Sequence, residues 1–172
     1  GRKPGNIADW LASHSGGYAQ MLVLDADSRM SEARIMSLIY RLESKPHLGL
    51  VQAGMTLLPG RSHFGRHQRA ASRLLSQNFG RGLAAWSGEA GNYWGHNAIM
   101  RIAAFRSAAQ LPVLSGRAPF GGPPLSHDFI EAAWMRRAGW AIELDPETWG
   151  SAEDGPQTLA EFHKRDRRRS QT

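Results

Sequence analysis

The chain has 172 residues and a mass of 19.0 kDa, which suits one ordinary domain. Hydrophobic residues make up 41% and charged residues 21%, so the composition is globular and excludes wholesale disorder. The absence of cysteine excludes disulfides, thiolate-bound metals and a thiol nucleophile. No apolar run reaches the roughly 18 residues that a membrane-spanning helix needs, and residues 1–6 lack the apolar stretch of a signal peptide.

Most of the net charge of +6 comes from one short segment near the C-terminus. Residues 164–169 carry +4 of it, and the rest of the chain is close to neutral. Such a cluster suits phosphate, polyanion or membrane-surface binding, but it is also typical of a solvated helix end. Because the charge is localised and no recognised nucleic-acid motif is present, a nucleic-acid-binding module is the weaker alternative.

The first third of the chain predicts a β–loop–α–β unit after a short helix over residues 7–13. Residues 21–24 are a continuous apolar run, typical of a buried strand. Ser31 is a suitable N-cap for the next helix, and Pro46 ends that helix before a second apolar strand at residues 48–51. This order favours a parallel α/β sheet with a right-handed crossover.

The rest of the chain predicts further helices and one more strand. Ser126 precedes an apolar helix, and Gly139 suits the C′ position after that helix. The predicted elements are helices over residues 63–79, 103–110 and 128–138, a loop rich in Gly and Pro over 115–124, a strand over 141–144, a loop over 145–158 and a basic helix over 159–169.

Asp25 and Asp27 directly follow the first predicted strand. Ligands of open α/β sheets bind outside the carboxyl ends of the strands. Two carboxylates at that edge are hard oxygen ligands, which suit Mg²⁺ or Mn²⁺ bound together with a diphosphate. The alternative is an exposed turn after a strand, and the residues alone leave both interpretations open.

Asp128 lies at the start of a predicted helix, close to the loop rich in Gly and Pro. A carboxylate presented at such a position can serve as a general base. The alternative is a first-turn carboxylate that only complements the helix dipole.

Residues 93–97 combine two aromatic rings, a glycine, an imidazole and an amide within five positions. Flat apolar faces together with hydrogen-bonding side chains are typical of a sugar site, although a core strand with a close glycine contact is an equal alternative. The histidines show no zinc-binding spacing, and the chain has no nucleophile elbow, dinucleotide fingerprint or Walker loop.

Taken together, six blocks resemble, in the right order, the glucosyltransferase family of osmoregulated periplasmic glucan synthesis. That family belongs to glycosyltransferase family 2 and is related to cellulose synthase. The resemblance covers nearly the whole chain, and six ordered blocks are far more specific than any one of them. The blocks are residues 2–6 (RKPGN), 23–28 (VLDADS), 93–98 (YWGHNA), 125–129 (LSHDF), 135–140 (MRRAGW) and 164–168 (KRDRR).

The resemblance implies a GT-A-like α/β fold with a mixed, mainly parallel sheet flanked by helices. It also implies inverting transfer of glucose from UDP-glucose to a growing β-glucan. Asp25 and Asp27 match the DxD element that holds a divalent metal (Mg or Mn) and the UDP diphosphate, and Asp128 matches the catalytic base. The other matches are Lys3, Asn6, Arg165 and Arg168 on the nucleotide side, and Trp94, Gly95, His96, Asn97 and His127 on the substrate and acceptor side.

Two features depart from the family pattern. Arg169 stands where the family has a tryptophan that helps to form the acceptor end of the site. The family's opening nucleotide-binding strands are absent, so the sheet is expected to be incomplete at its N-terminal side. We therefore expect residues 1–172 to form the C-terminal part of a GT-A catalytic domain, with a basic tail at 163–172 and no activity in isolation.

The resemblance further implies a location at the cytoplasmic face of the bacterial inner membrane, with membrane contacts through parts of the protein outside these residues. The expected partners are a nucleotide sugar and a β-glucan acceptor, and no nucleic acid. The departure at Arg169 keeps one alternative open, a non-catalytic GT-A-like domain that serves interaction or regulation.

Overall fold

The computed structural model describes residues 3–108, 115–117, 121–122 and 126–169. These residues form two mixed sheets flanked by helices. In chain order the elements are α1 (Lys3–Ser13), a 3₁₀ turn (Ser15–Gly17), β1 (Gln20–Val23), β2 (Arg29–Met30), α2 (Glu32–Glu43), β3 (Leu48–Ala53), β4 (Thr56–Leu57), α3 (His63–Ser87), β5 (Ala98–Arg101), α4 (Ile102–Arg106), α5 (His127–Arg137), β6 (Ala141–Asp145), β7 (Ser151–Glu153) and α6 (Leu159–Arg169).

The central sheet has the strand order β1-β5-β3-β6 within the described part of the chain. β5 runs antiparallel to both of its neighbours, whereas β3 and β6 are parallel. Strands β1, β3 and β6 therefore point the same way, and the predicted mixed α/β fold is confirmed, but two of the three pairings in this sheet are antiparallel because β5 lies between β1 and β3. The chain passes from β1 through α2 to β3, and β5 lies between these two strands in the sheet.

The central sheet is covered on both faces, because β3 and β6 are buried along their whole length. Continuous burial explains why β3 is mostly apolar in the sequence, whereas β6 carries two carboxylates, Glu143 and Asp145, that are paired with basic side chains. One core cluster includes Leu50, Met135 and Ile142, and the other packs Leu38 and Leu42 of α2 against the sheet. The predicted N-cap is confirmed, since Ser31 Oγ accepts a hydrogen bond from the backbone N–H of Arg34.

Arg34 fixes the segment that follows β6. Its side chain is 1% exposed, and its Nη1 lies 3.1 Å from Asp145 Oδ2. Nη2 donates to the carbonyl oxygen of Glu147 at 2.6 Å, and the guanidinium lies 5.1 Å from the ring centre of Trp149. A buried ion pair of this kind fixes local geometry, because loss of either partner leaves the other charge uncompensated.

The second sheet was not predicted from the sequence. Its strand order is β2-β7-β4, and β7 is antiparallel to β2 and parallel to β4. The predicted loop over residues 145–158 is therefore wrong in its middle, where β7 lies. Strands of two or three partly exposed residues carry no periodicity that a sequence pattern can show.

The predicted helices are confirmed with shifted ends. α6 spans the predicted residues, and α5 begins one residue early, with Gly139 at φ +92° just beyond its end. α3 continues to Ser87, because Gly80 and Gly82, which follow the predicted end at residue 79, lie inside the helix instead of ending it. α4 ends at Arg106, four residues earlier than predicted, and much of the predicted 115–124 loop lies outside the described residues. None of the described helices is both long enough and apolar enough to cross a membrane.

Candidate active site

The Asp25–Asp27 segment lies where β1 leaves the central sheet. β1 ends at Val23, and the turn that follows is closed by a hydrogen bond from Ser28 N to the carbonyl oxygen of Asp25 at 3.0 Å. The hydroxyl of Ser28 also accepts from the backbone N–H of Asp25 at 3.2 Å. Both aspartates are half-buried at the carboxyl end of a strand, which is the edge where α/β sheets bind ligands.

The basic helix α6 comes back to this edge. Arg165 Nη2 lies 3.7 Å from Asp27 Oδ2, and Nη1 of the same guanidinium donates to the carbonyl oxygen of Asp154 at 3.2 Å. The structure thus brings together Asp27 and Arg165, two predicted site residues that are far apart in the sequence. An arginine here is suited to the oxygens of a phosphate group.

Asp128 lies in the first turn of α5 and packs against the backbone of Gly95. Gly95 has φ +83°, and a Cβ added there would lie 3.2 Å from Asp128 Oδ2. Both the backbone conformation and the close carboxylate favour glycine at this position. The predicted motif at residues 93–97 and the predicted base Asp128 therefore contact each other, and the loop before β5 sets the position of the Asp128 carboxylate.

Tyr93, one of the two aromatic rings noted at residues 93–97, is fully buried. Burial, followed by the charges of Glu131, Asp128 and Asp25, raises the pKa of its hydroxyl above the ordinary value. That hydroxyl has no hydrogen-bond partner among the described residues.

His96 faces a carboxylate from the second sheet. Its Nδ1 lies 3.4 Å from Glu153 Oε2 and 3.1 Å from Nδ2 of Asn97. Asn97 is fully buried and has φ +49°, a conformation that few residues other than glycine adopt. Gln52 at the end of β3 holds the same loop, since it donates to the carbonyl oxygen of His96 and accepts from the backbone N–H of Trp94, both at 2.9 Å.

One cavity of about 510 Å³ joins several of these groups. It lies at the carboxyl ends of β3 and β6, against one side of α3. Its polar side chains include those of Asp128, His96 and Glu153, and its aromatic side chains are Trp94, Phe79 and Phe129. Asp25 and Asp27 are not among its lining residues, so the cavity opens on the predicted base and not on the predicted metal-binding carboxylates.

The remaining predicted site residues lie elsewhere or outside the described part. His127 does not line this cavity; its Nδ1 lies 3.1 Å from Oε2 of the buried Glu131. Asn6 on α1 lines a separate groove along β1. The side chains of Lys3, Arg168 and Arg169 are outside the part of the chain that the structure describes.

Asp25 and Asp27, at the end of β1, are suited to bind a metal ion together with a substrate, because two carboxylates do not complete the coordination shell of a metal by themselves. No cluster of three or more His, Asp or Glu side chains that could hold a metal occurs among the described residues. Mg²⁺ commonly takes one or two carboxylates and completes its shell with water and substrate phosphates. Asp25 and Asp27 therefore fit a divalent cation that arrives together with a diphosphate.

Comparison with known proteins places this mixed α/β fold among the glycosyltransferases. Residues 21–171 match glycosyl transferase family group 2, and the chain belongs to that family. Three similar proteins are each named "Glucans biosynthesis glucosyltransferase H". The protein from Xylella fastidiosa is 49% identical over 98% of this chain, and those from Xanthomonas campestris and Vibrio cholerae are 48% identical over 97%. The chain spans about a quarter of the length of these relatives, 26%, 26% and 23% respectively.

Proposed function

We propose that this protein transfers glucose from UDP-glucose to a growing β-glucan, with inversion at the anomeric carbon. The observation that carries the proposal is the Asp128 carboxylate, which is held against Gly95 on the wall of a cavity that also presents Trp94 and His96. Membership of the family and the names of the relatives support glycosyl transfer to a glucan. The DxD spacing of Asp25 and Asp27 supports a nucleoside diphosphate on the donor side.

In the proposed reaction, Asp128 accepts the proton of the acceptor hydroxyl. The oxygen then forms a bond to the anomeric carbon while the bond from that carbon to the UDP oxygen breaks, so one displacement inverts the configuration. UDP leaves with the bonding electrons, and its diphosphate must be neutralised. A divalent cation bound by Asp25 and Asp27 would supply this neutralisation. Arg165, which lies 3.7 Å from Asp27, adds positive charge at the same edge.

The nucleotide side of the proposed site also includes Lys3, Asn6 and Arg168, which the family motifs assign to it. The proposed location of the whole protein is the cytoplasmic face of the inner membrane, where UDP-glucose is available. Both statements rest on the resemblance of the ordered motifs to the glucan-synthesising family.

The test uses protein expressed from its complete reading frame and assayed in membranes with labelled UDP-glucose. We expect Asp128→Asn to abolish glucan synthesis and to leave UDP binding intact, because the amide cannot accept the proton. We expect Asp27→Ala to abolish metal-dependent UDP binding. Asp9→Asn, which makes the same side-chain change as Asp128→Asn at an exposed position on α1, is the matched control and should behave as wild type.

Retained glucan synthesis by Asp128→Asn would refute the assignment of the base. If the unaltered protein binds UDP but transfers no glucose under any condition, the alternative of a non-catalytic GT-A-like domain is favoured instead. Salt-sensitive nucleic-acid binding that Asp27→Ala leaves unchanged would favour the basic binding module.

A further inference from the structure

The cavity beside Asp128 contains a second carboxylate that no family motif assigns. Glu153 ends β7 in the small sheet, whereas Asp128 lies on α5, so different elements bring the two groups to one space of about 510 Å³. The side chain of Glu153 is 15% exposed. A carboxylate kept this far from water, yet in a cavity wall, is suited to bind a polar ligand.

The side chains of Glu153 and His96 lie next to each other in the cavity wall. The Oε2 and Nδ1 atoms are 3.4 Å apart, and the imidazole side chain is 11% exposed. The amide Nδ2 of Asn97 lies 3.1 Å from the same Nδ1, so the imidazole is held between an amide and a carboxylate. Glu153 therefore offers a charged acceptor, and the imidazole of His96 a second polar group, to hydroxyl groups in the cavity.

The rest of the cavity lining matches the shape and polarity of a sugar ring. Trp94 and Phe129 supply flat apolar surface, and Thr148 supplies a hydroxyl group. Aromatic faces pack against the C–H surface of a pyranose, while its hydroxyls need polar partners of the kind that Glu153 and His96 provide. The combination is suited to a neutral polyhydroxyl ligand and unsuited to a phosphate, which two carboxylates would repel.

We propose that Glu153 is a specificity-determining residue that, together with His96, binds hydroxyl groups of the acceptor sugar. The inference rests on the proposed function, because it takes Asp128 as the base that deprotonates the acceptor. The acceptor must lie on the side of the site that the base faces, and this cavity presents Asp128 without Asp25 or Asp27. Glu153 thus belongs to the acceptor side and not to the donor side.

The test compares kinetic constants for the two substrates in protein expressed from its complete reading frame. We expect Glu153→Gln to raise KM for a short β-glucan oligosaccharide about tenfold, because a charged hydrogen-bond acceptor is replaced by a neutral one. KM for UDP-glucose and the slow transfer of glucose to water should stay at wild-type values. Glu153→Asp keeps the charge and should recover most of the acceptor affinity.

Glu147→Gln is the matched control. It makes the same chemical change in the same segment after β6, but Glu147 does not line this cavity, and its side chain pairs with Arg81 at 3.0 Å. An unchanged acceptor KM in Glu153→Gln would overturn the inference, and so would an equal rise of both KM values. Because Asp128→Asn decides the identity of the base separately, a failure here is distinguishable from a failure of the proposed function.

Discussion

The variant Gly95→Ala should have two effects, a loss of folding stability from backbone strain and a loss of activity from displacement of Asp128, the predicted base. An alanine at φ +83° costs about 1–2 kcal/mol of folding free energy, because its Cβ is crowded in this backbone region. The new methyl group would also lie 3.2 Å from Asp128 Oδ2 and 3.6 Å from both Cβ and Cγ of that side chain. The carboxylate must therefore move by a few tenths of an ångström, for which we expect kcat to fall about tenfold.

Gly139→Ala is the control for this variant. Gly139 has φ +92°, close to that of Gly95, but a Cβ there would meet nothing within 4 Å. Denaturant unfolding should show a similar loss of stability in both variants, of about 1–2 kcal/mol, whereas the transfer assay should show loss of kcat in Gly95→Ala alone. Equal kcat in the two variants would refute the argument that Gly95 sets the position of Asp128.

Two further predictions concern the ion pairs that β6 makes with α2 and with Lys45 just after that helix. Arg34→Met leaves Asp145 buried without its main partner, and denaturant unfolding should show a loss of about 3–5 kcal/mol; a loss under about 1 kcal/mol would contradict the pairing. Burial alone raises the pKa of Glu143, but hydrogen bonds from Lys45 and Arg41 hold it below the ordinary value. Because the folded pKa is lowered, Glu143 stabilises the fold near neutral pH and loses that contribution as pH falls below about 4.5. Glu143→Gln should therefore flatten the fall in unfolding free energy between about pH 5 and pH 3, and a curve parallel to wild type would contradict the assignment.

The sequence predicts the elements whose burial is complete or whose ends are chemically marked. β3 is buried on both faces and reads as a mostly apolar run, and Ser31 caps α2 as its hydroxyl suggests. β5 was not predicted as a strand, since its place between β1 and β3 depends on pairing across the long α3 connection. Distant pairing of this kind leaves no local pattern.

In the candidate site, too, residues marked by their local sequence could be predicted, whereas residues defined by distant contacts could not. Asp25, Asp27 and Asp128 stand next to element ends and could be selected from local context. Gln52 reads only as one polar residue inside an apolar strand, and its two hydrogen bonds to the loop at residues 94–96 appear only in three dimensions. Glu153 lies in a strand too short to predict, so the sequence gives no signal that it meets His96.

The strand order of the central sheet also has a consequence for how the chain folds. Each of its three pairings joins positions separated by about 50 to 90 residues, as in Met21 with Met100 and Val51 with Glu143. Local contacts can form α2 and α3 early, but the sheet must wait for loop closure over long distances. During synthesis on the ribosome, the apolar β3 therefore stays without its parallel neighbour until residue 145 has emerged. An apolar strand without its neighbour favours aggregation, and chaperones counter this during that interval.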